Sequence, residues 1–487
     1  MIQGTGSNVG KSMLVAGLCR YFTNHGFTVR PFKPQNMSNN AAVTEDGGEI
    51  GRAQALQALA CKTKPTIHMN PVLLKPEGEC GSQVIVQGKR LGSYKAKNFY
   101  DLKKTLMPKV LESFELLKQE ADLVIVEGAG SASEMNLREN DIANMGFAEA
   151  ANVPVIIAAD IDRGGVLASI VGTHALLPKN EINLIKGYII NKFRGDPALF
   201  TSAESLITEK TSWTSIGMCP WFPKANLLPA EDSQDLENNS NTEPSSTKQI
   251  KISVPVLPRI ANFDDLDPLA AEPNVELKLI KQGELIEEDT DLIILTGSKA
   301  TIADLKTLYE EGWHIDIAKH VRKGGYVLGL CGGYQMLGKT IKDPEYLEGS
   351  LSEIDGLNLL NIETTIEPQK TLIDVNAEFI ETNSNLTAYE MHMGKTSGPD
   401  LSNPLFKKSD EGKILEGAQN STGKVMGTYL HGLFQSDEFR KKFLQKISAN
   451  FESQTAYKLQ VEVTLNELAN HIADSLNIKE IEKISGF

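Results

Sequence analysis

The stretch 325–337, GYVLGLCGGYQML, decides the fold of the second half of this 487-residue chain. An apolar run ends at Cys331, glycines lie two positions before and two positions after it, and a helix-compatible segment follows. Strand, sharp turn and helix around a nucleophile form the pattern of a nucleophile elbow. The field of the following helix favours a thiolate at its N-terminus. Although most lone cysteines are small buried hydrophobes, this pattern predicts a catalytic thiol.

Short β-branched runs alternate with helical patterns on both sides of a polar stretch, 231–249. This stretch is rich in Ser and Asn and has no apolar periodicity, so we predict a flexible linker. The alternation predicts two α/β domains, each doubly wound around a largely parallel sheet. We expect the first domain over 1–230, the second over 250–445, and a helical tail over 446–487.

The composition excludes several classes of protein. The net charge is −14, which argues against a nucleic-acid-binding surface. No apolar run approaches the length of a membrane span. The cysteines are odd in number and lack metal-type spacing, which indicates a reducing, cytoplasmic setting. They are Cys19, Cys61, Cys80, Cys219 and Cys331. We therefore predict no nucleic-acid or membrane partner, and the oligomeric state stays open.

The chain opens with the loop GTGSNVGKS at 4–12, followed by a helical pattern. Backbone N–H groups of such a loop, together with a helix N-terminus, bind phosphate oxygens. Lys11 is predicted to neutralise the β- and γ-phosphates of ATP, and Ser12 to bind Mg²⁺ through its hydroxyl. The other predicted nucleotide contacts are Gly4, Thr5, Gly6, Asn8 and Gly10. Only three residues precede the loop. A full first strand needs more, which indicates a shortened start.

Polar residues end several of the predicted strands in the first half. Lys33 is a second candidate cation for the γ-phosphate, and Glu127 is placed as a Mg²⁺ carboxylate. Asp160 and Asp162 close the next strand, and Asn191 is a candidate for the base edge of the nucleotide. Because ligands of open α/β sheets bind at the carboxyl ends of strands, we expect these side chains to converge.

A catalytic thiolate needs a base and an oxyanion hole. The N–H of Gly332 is one predicted donor to the oxyanion, and the N–H of Gly297, at another strand end, is the second. Two histidines compete as the base. His431 ends an apolar run and precedes a glycine, which suits a side chain directed across a cleft, whereas His392 is the alternative.

These motifs together resemble known families. The elbow with a later strand-end histidine is similar to a class I glutamine amidotransferase domain. The long phosphate loop resembles that of dethiobiotin synthetase. Over nearly the whole chain the sequence resembles the cobyric acid synthase family, in the strings QGTGSNVGKS, FKPQNMSNN, EIGRAQALQA, VEGAGS, NMGFAEAANVPVIIAADIDRGGV, GYIINKFRGD, LPRIANFDDLDPL, LTGSKATIADL, GLCGGYQMLG, YEMHMGKT and GTYLHGLF.

This resemblance implies a glutamine-hydrolysing carbon–nitrogen ligase of cobalamin biosynthesis. Its members use ATP and glutamine to amidate the b, d, e and g carboxylates of a corrinoid, adenosylcobyrinic acid a,c-diamide. Cys331 would be the nucleophile and His431 its base. Many amidotransferases carry Glu two residues after that histidine, but here the position is Leu433. What orients His431 is therefore open.

The resemblance also implies contacts to the corrinoid or acyl phosphate from Gln35, Asn36 and Asn39, and from Arg163 and Gly164. The nearest alternative is the sister enzyme, cobyrinic acid a,c-diamide synthase, which shares both domain types. The strings QNMSNN and DIDRGG favour the cobyric acid type. CTP synthase also couples such domains, but in that enzyme we expect a glutamate two residues after the catalytic histidine. A partitioning ATPase fused to a binding module would leave the cysteine elbow without a use.

Overall fold

The computed structural model describes residues 1–77, 81–229, 249–349, 351–409 and 414–486. The chain divides into two compact units. The first unit comprises Met1–Ser38, Thr44–Leu228 and the chain from Val461 onward, and the second comprises Asn39–Val43 and the chain from Pro229 to Gln460. The predicted linker at 231–249 lies outside the described residues except for Gln249.

Strands and helices alternate along the first half of the chain. The strands are β1 (Ile2–Gly4), β2 (Val29–Phe32), β3 (Gln35–Met37), β4 (Ala41–Val43), β5 (Glu49–Gly51), β6 (Val72–Pro76), β7 (Gly81–Val86), β8 (Lys89–Lys95), β9 (Leu123–Val126), β10 (Val155–Asp160), β11 (Ile185–Phe193) and β12 (Thr214–Pro220). The α-helices are α1 (Lys11–Asn24), α2 (Arg52–Ala60), α3 (Ala96–Glu120), α4 (Met145–Ala150), α5 (Val166–Leu176), α6 (Lys179–Ile182) and α7 (Thr201–Thr211). Short 3₁₀ turns span Ile67–Met69, Met135–Leu137, Pro197–Phe200 and Pro223–Leu227.

A parallel sheet forms the centre of the first unit. Strands β1, β10, β11 and β12 pair in that order, and β2 pairs in parallel with β9. A parallel bridge between Ile2 and Glu127 joins the two sets, so the order is β2-β9-β1-β10-β11-β12. Residues of β10 are buried on both faces, as expected for a parallel strand covered by helices. A smaller sheet, β3-β6-β7-β8, lies in the same unit. The fold class predicted for this half is confirmed.

The end of the chain packs on the phosphate-loop helix α1 rather than extending as a separate tail. Arg20, fully buried on α1, donates to the carboxylate of Glu462 at 2.9 Å. Ile472 is fully buried. A Cβ on Gly17 would lie 2.2 Å from the Cδ1 atom of Ile472. The predicted tail is helical, but its last residues are part of the first unit, because its apolar face covers α1.

We expect Ile472→Ala to lower the free energy of unfolding of the first unit by about 3 kcal/mol. The side chain is fully buried against α1, so its removal leaves a cavity. The exposed Val463→Ala on the same helix is the control, with an expected change of about 0.5 kcal/mol or less. Urea unfolding measures both. Equal, small effects would show that the helix is not packed on the unit.

The second half of the chain continues the numbering. The strands are β13 (Ile250–Pro255), β14 (Ile260–Ala261), β15 (Val275–Ile280), β16 (Leu292–Leu295), β17 (Gly297–Ser298), β18 (Tyr326–Leu330), β19 (Thr340–Lys342), β20 (Glu353–Asp355), β21 (Glu363–Phe379), β22 (Ser384–Ser397), β23 (Phe406–Lys408), β24 (Leu415–Glu416), β25 (Ala418–Gln419), β26 (Val425–Thr428) and β27 (Leu430–His431). The α-helices are α8 (Asp267–Ala270), α9 (Thr301–Glu310), α10 (Trp313–Arg322), α11 (Gly332–Met336), α12 (Asp437–Ile447), α13 (Tyr457–Ser475) and α14 (Ile478–Ser485). Three 3₁₀ turns span Phe263–Leu266, Pro399–Ser402 and Leu433–Gln435.

The second unit also centres on a parallel sheet, in the order β15-β13-β16-β18-β26, with β25 antiparallel at its edge. The predicted α/β class is confirmed here too. The sequence did not predict the long antiparallel hairpin of β21 and β22, which pairs with β27 in a second sheet. This pairing places Tyr389 opposite His431. Among the described helices, none is long and apolar enough to cross a membrane.

Candidate active sites

Cys331 lies in the sharp turn between β18 and α11, as predicted. Its backbone has φ 51° and ψ −105°, a conformation that non-glycine residues rarely adopt. The Cys331 N–H donates to the carbonyl of Thr428 at 2.8 Å, which fixes this turn against β26. The thiol is buried and lies 3.5 Å from the carbonyl of Met391. Such a strained turn is typical of a nucleophile elbow.

His431 lies beside Cys331 and is held by an acid that sequence analysis did not identify. Its Nδ1 lies 2.6 Å from Oδ2 of Asp265. The other oxygen of Asp265 accepts the Gly432 N–H at 2.6 Å. Because a carboxylate only accepts, Nδ1 carries the proton and Nε2 is left for the thiol. The arrangement of Cys331, His431 and Asp265 fits that of a nucleophile, a base and an orienting acid.

The charge balance of this group favours a protonated histidine. Burial disfavours the imidazolium, but the Asp265 carboxylate and the interaction with Cys331 outweigh burial and raise the pKa of His431 to about 10. His431 and Asp265 are both almost fully buried, so solvent screens the pair little. A protonated imidazole places a positive charge beside the sulfur of Cys331.

The two glycines predicted to supply oxyanion donors lie close to this group. A Cβ on Gly332 would lie 2.8 Å from the amide nitrogen of Ser298, and a Cβ on Gly297 would lie 3.4 Å from Cε1 of His431. The structure therefore brings the residue pair 297–298 to the elbow, and the Ser298 amide, which sequence analysis did not name, lies next to Gly332. A side chain at Gly332 would collide with the Ser298 amide, and a side chain at Gly297 would collide with the carbonyl of Ala261, 2.8 Å from such a Cβ.

The rival base His392 has different neighbours. Its ring stacks on Tyr429 with centroids 3.7 Å apart, and its Nε2 lies 3.5 Å from a carboxylate oxygen of Glu390. The stacking holds the His392 ring against Tyr429, two residues before His431. The geometry therefore favours His431 over His392 as the base.

A second buried acid, Glu416, fixes the chain between Cys331 and His431. Its carboxylate accepts the Tyr429 N–H at 2.7 Å and the Thr428 hydroxyl at 2.5 Å. The carbonyl of Thr428 is the acceptor for the Cys331 N–H. Glu416 thus fixes Thr428 and Tyr429 at the junction of β26 and β27, and β27 carries His431. Burial raises the pKa of Glu416 from 4.5 to about 7, although the hydrogen bonds from Thr428 and Tyr429 oppose this shift.

We expect Glu416→Gln to change how stability depends on pH. The folded protein holds the Glu416 proton more tightly than the unfolded chain, so this group makes stability fall as pH rises from about 4.5 to about 7. The Glu416 carboxyl group accounts for a loss of roughly 3 kcal/mol in the free energy of unfolding over this pH range. The glutamine variant should lack this loss. Urea unfolding at several pH values measures the slope. The exposed Glu353→Gln should keep the wild-type slope, and an unchanged slope in Glu416→Gln would contradict the expectation.

The phosphate loop is held by its own lysine in the first unit. The Lys11 ammonium donates to the carbonyls of Gly6 and Gly130, at 2.9 Å each. Gly10 has φ 89°, and a Cβ there would lie 2.3 Å from Nδ2 of Asn191. Asn191 donates to the carbonyl of Val9 at 2.8 Å. Asn191 therefore binds the loop backbone and is almost fully buried, and its contact with a base edge stays a prediction.

The two residues predicted to bind the metal, Ser12 and Glu127, contact each other. The Ser12 hydroxyl donates to Oε1 of Glu127 at 2.8 Å, and the Lys33 ammonium donates to the same oxygen at 2.7 Å. Burial opposes the anion, but Lys33 and the hydrogen bonds from Gln57 and Ser12 hold the pKa of Glu127 below its ordinary value. A hydroxyl and an anionic carboxylate side by side fit Mg²⁺, which takes few protein oxygens and completes its shell with phosphates and water.

The remaining predicted contacts lie on separate segments of the chain. Gln35 and Asn36 lie on β3, whereas Asn39 belongs to the second unit. Arg163 and Gly164 lie in an exposed turn after β10.

The other predicted nucleotide residues belong to the loop. The Thr5 N–H donates to the Ala158 carbonyl at 3.0 Å, and the Gly4 carbonyl accepts the Ala132 N–H at 2.9 Å. Lys192 donates to the carbonyl of Asn8 and, at 3.0 Å, to Asp160. Glu127, Asn191 and, through Lys192, Asp160 are therefore linked to the loop by hydrogen bonds, whereas Asp162 pairs with Arg194 at 2.9 Å.

Comparisons with known proteins find a different family model for each half of the chain. Residues 1–234 match a family model described as the CobQ/CobB/MinD/ParA nucleotide binding domain, and residues 251–439 match one described as the CobB/CobQ-like glutamine amidotransferase domain. Cobyric acid synthase of Allorhizobium ampelinum is 54% identical over 486 residues, covering 100% of this chain and 99% of that protein. The same enzyme of Methylobacterium nodulans is 53% identical and covers 97% of this chain and 96% of that protein. A solved glutamine amidotransferase matches 41% of this chain and 98% of its own at 17% identity and a TM-score of 0.31, which adds nothing to these matches.

Proposed function

The chain belongs to the cobyric acid synthase family, and from this membership we propose that it amidates the b, d, e and g carboxylates of adenosylcobyrinic acid a,c-diamide with glutamine and ATP. The observation that supports this proposal is the presence of two complete, chemically different sites on one chain. One carries a thiol, a histidine and an acid, and the other a phosphate loop with a buried carboxylate. We place the reaction in the cytoplasm because the described cysteines are unpaired.

The nitrogen is released at Cys331. Its thiolate attacks the side-chain carbonyl of glutamine, the N–H groups near Gly332 stabilise the oxyanion, and His431 gives its proton to the departing ammonia. Water then attacks the thioester, His431 accepts a proton from that water, and the C–S bond breaks to release glutamate and restore the thiolate. Asp265 stabilises the imidazolium in the first step and holds the same ring nitrogen throughout.

The carboxylate is activated at the phosphate loop. Hydroxide is a poor leaving group, so ammonia converts a carboxylate to an amide only after ATP has phosphorylated it. Lys11 and Lys33 would balance the charge of the transferred phosphoryl group. Ser12 and Glu127 would hold Mg²⁺, which neutralises phosphate charge when bound. Gln35, Asn36, Asn39, Arg163 and Gly164 remain the proposed contacts to the corrinoid.

Mass spectrometry of the corrinoid product tests this function. The chain is incubated with glutamine, ATP, Mg²⁺ and the a,c-diamide corrinoid, and we expect stepwise conversion of four carboxylates to amides. Incubation with cobyrinic acid, which lacks the a and c amides, distinguishes the sister activity. Glutamate release without any amidated a,c-diamide corrinoid would contradict the proposed substrate.

A further inference from the structure

The buried carboxylate of Glu127 receives hydrogen bonds on both of its oxygens. Oε1 faces Ser12 and Lys33, as described above. Oε2 accepts the side-chain amide of Gln57 at 2.6 Å and that of Gln54 at 3.4 Å. We propose that Gln57 and Gln54 are positioning residues that orient Glu127 toward a divalent cation. This inference rests on the proposed function, because the cation is the one that accompanies ATP.

Both glutamines occupy the same face of helix α2. They are three residues apart, so they lie one above the other along the helix, and both are fully buried. The amide of Gln57 also lies 3.4 Å from the backbone carbonyl of Ser12. One side chain therefore contacts both residues that would hold the cation. Second-layer contacts of this kind fix the direction in which a metal-binding carboxylate points.

The chemistry of Gln57 supports a donor role. Among the described residues, its Oε1 is buried and has no hydrogen-bond partner. An unsatisfied buried acceptor costs free energy, so an apolar side chain would suit this position better if packing were its only role. The amide instead donates to an anion without adding a charge. A lysine there would compete with the cation for Glu127.

Gln54 connects the carboxylate with the strand that carries the proposed substrate contacts. Its Oε1 accepts the amide of Asn36 at 2.8 Å, and Oδ1 of Asn36 accepts the Met37 N–H at 2.8 Å. A chain of amides therefore runs from Glu127 through Gln54 to strand β3. Displacement of β3 by a substrate would be transmitted to the metal-binding carboxylate through these bonds.

Binding of Mn²⁺ to the whole chain, measured by electron paramagnetic resonance with a non-hydrolysable ATP analogue, tests the proposal. Gln57→Met keeps the side-chain volume and removes the donor, and we expect roughly 10- to 100-fold weaker Mn²⁺ binding. Gln54→Met should have a smaller effect, since its hydrogen bond is longer. Gln83→Met is the matched control, because Gln83 is also buried and donates to a carboxylate, that of Glu77. It should leave Mn²⁺ binding unchanged.

A double-mutant cycle separates positioning from packing. If Gln57 acts through Glu127, then Gln57→Met should cause no further loss of Mn²⁺ binding in a Glu127→Gln background. The same loss in both backgrounds would overturn the proposal. The proposal would also be overturned if Gln57→Met bound Mn²⁺ as the wild type does but had a lower melting temperature, because Gln57 would then serve packing only. Corrinoid amidation by the wild type is measured separately, so failure here does not bear on the proposed function.

Discussion

Replacement of Cys331 by alanine should abolish glutamine-dependent amidation and leave amidation with ammonium salts in place. The thiol is the proposed nucleophile at the first site, where it lies buried 3.5 Å from the Met391 carbonyl. Loss of such a nucleophile lowers the rate by about 10⁴-fold or more. The phosphate loop and Glu127 are untouched, so the second site should still activate carboxylates for free ammonia. Corrinoid product is quantified with each nitrogen donor.

The control for this experiment is Cys219→Ala. Cys219 is also buried, but it lies on β12, far along the chain from the elbow. It should retain activity with both donors. Equal loss with glutamine and with ammonium in Cys331→Ala would show that the thiol has a role in the synthetase reaction, which contradicts separate sites.

Replacement of Asp265 by asparagine should have the second-largest effect, a fall in the glutaminase kcat of about 10³-fold. The carboxylate holds Nδ1 of His431 at 2.6 Å and raises the pKa of that histidine. An amide can present its NH₂ group to the ring, which favours the wrong tautomer. Without the carboxylate, burial dominates and the imidazole stays neutral. Glutamate release measures kcat, and alkylation of Cys331 at neutral pH should slow in parallel.

Asp343→Asn is the matched control for Asp265→Asn. Asp343 is buried in the same unit and accepts the backbone N–H groups of Leu347 and Glu348. Its replacement should leave both kcat and thiol alkylation near their wild-type values. A near-wild-type kcat in Asp265→Asn would remove the acid from the proposed mechanism.

The elbow could be predicted because its signal is local. Cys331, its glycines and the flanking apolar strand are adjacent in the chain, and the backbone conformation follows from them. Asp265 could not be assigned in the same way, because it lies 166 residues from His431 and only the fold brings the two together. Its one local signal was a pair of acids, Asp264 and Asp265, placed between apolar residues. Gln57 had no local signal, since glutamine is common on helices.

The parallel sheets were predictable for a similar reason. Runs such as Leu123–Val126 and Leu292–Leu295 are apolar throughout, which marks strands buried on both faces. The β21–β22 hairpin was missed because its exposed positions break the apolar pattern. The contact of the C-terminal helical segment with α1 was missed. An amphipathic pattern predicts that one face of a helix is buried, but it does not identify the element that covers this face.

The most direct test of two cooperating sites follows the nitrogen atom itself. The wild-type chain is given ATP, the a,c-diamide corrinoid, glutamine labelled with heavy nitrogen in its side-chain amide, and unlabelled ammonium. We predict one labelled amide for each carboxylate converted in the wild type, and unlabelled amides only in Cys331→Ala. Unlabelled product from the wild type, or labelled product from the variant, would contradict transfer of nitrogen from Cys331 to the corrinoid.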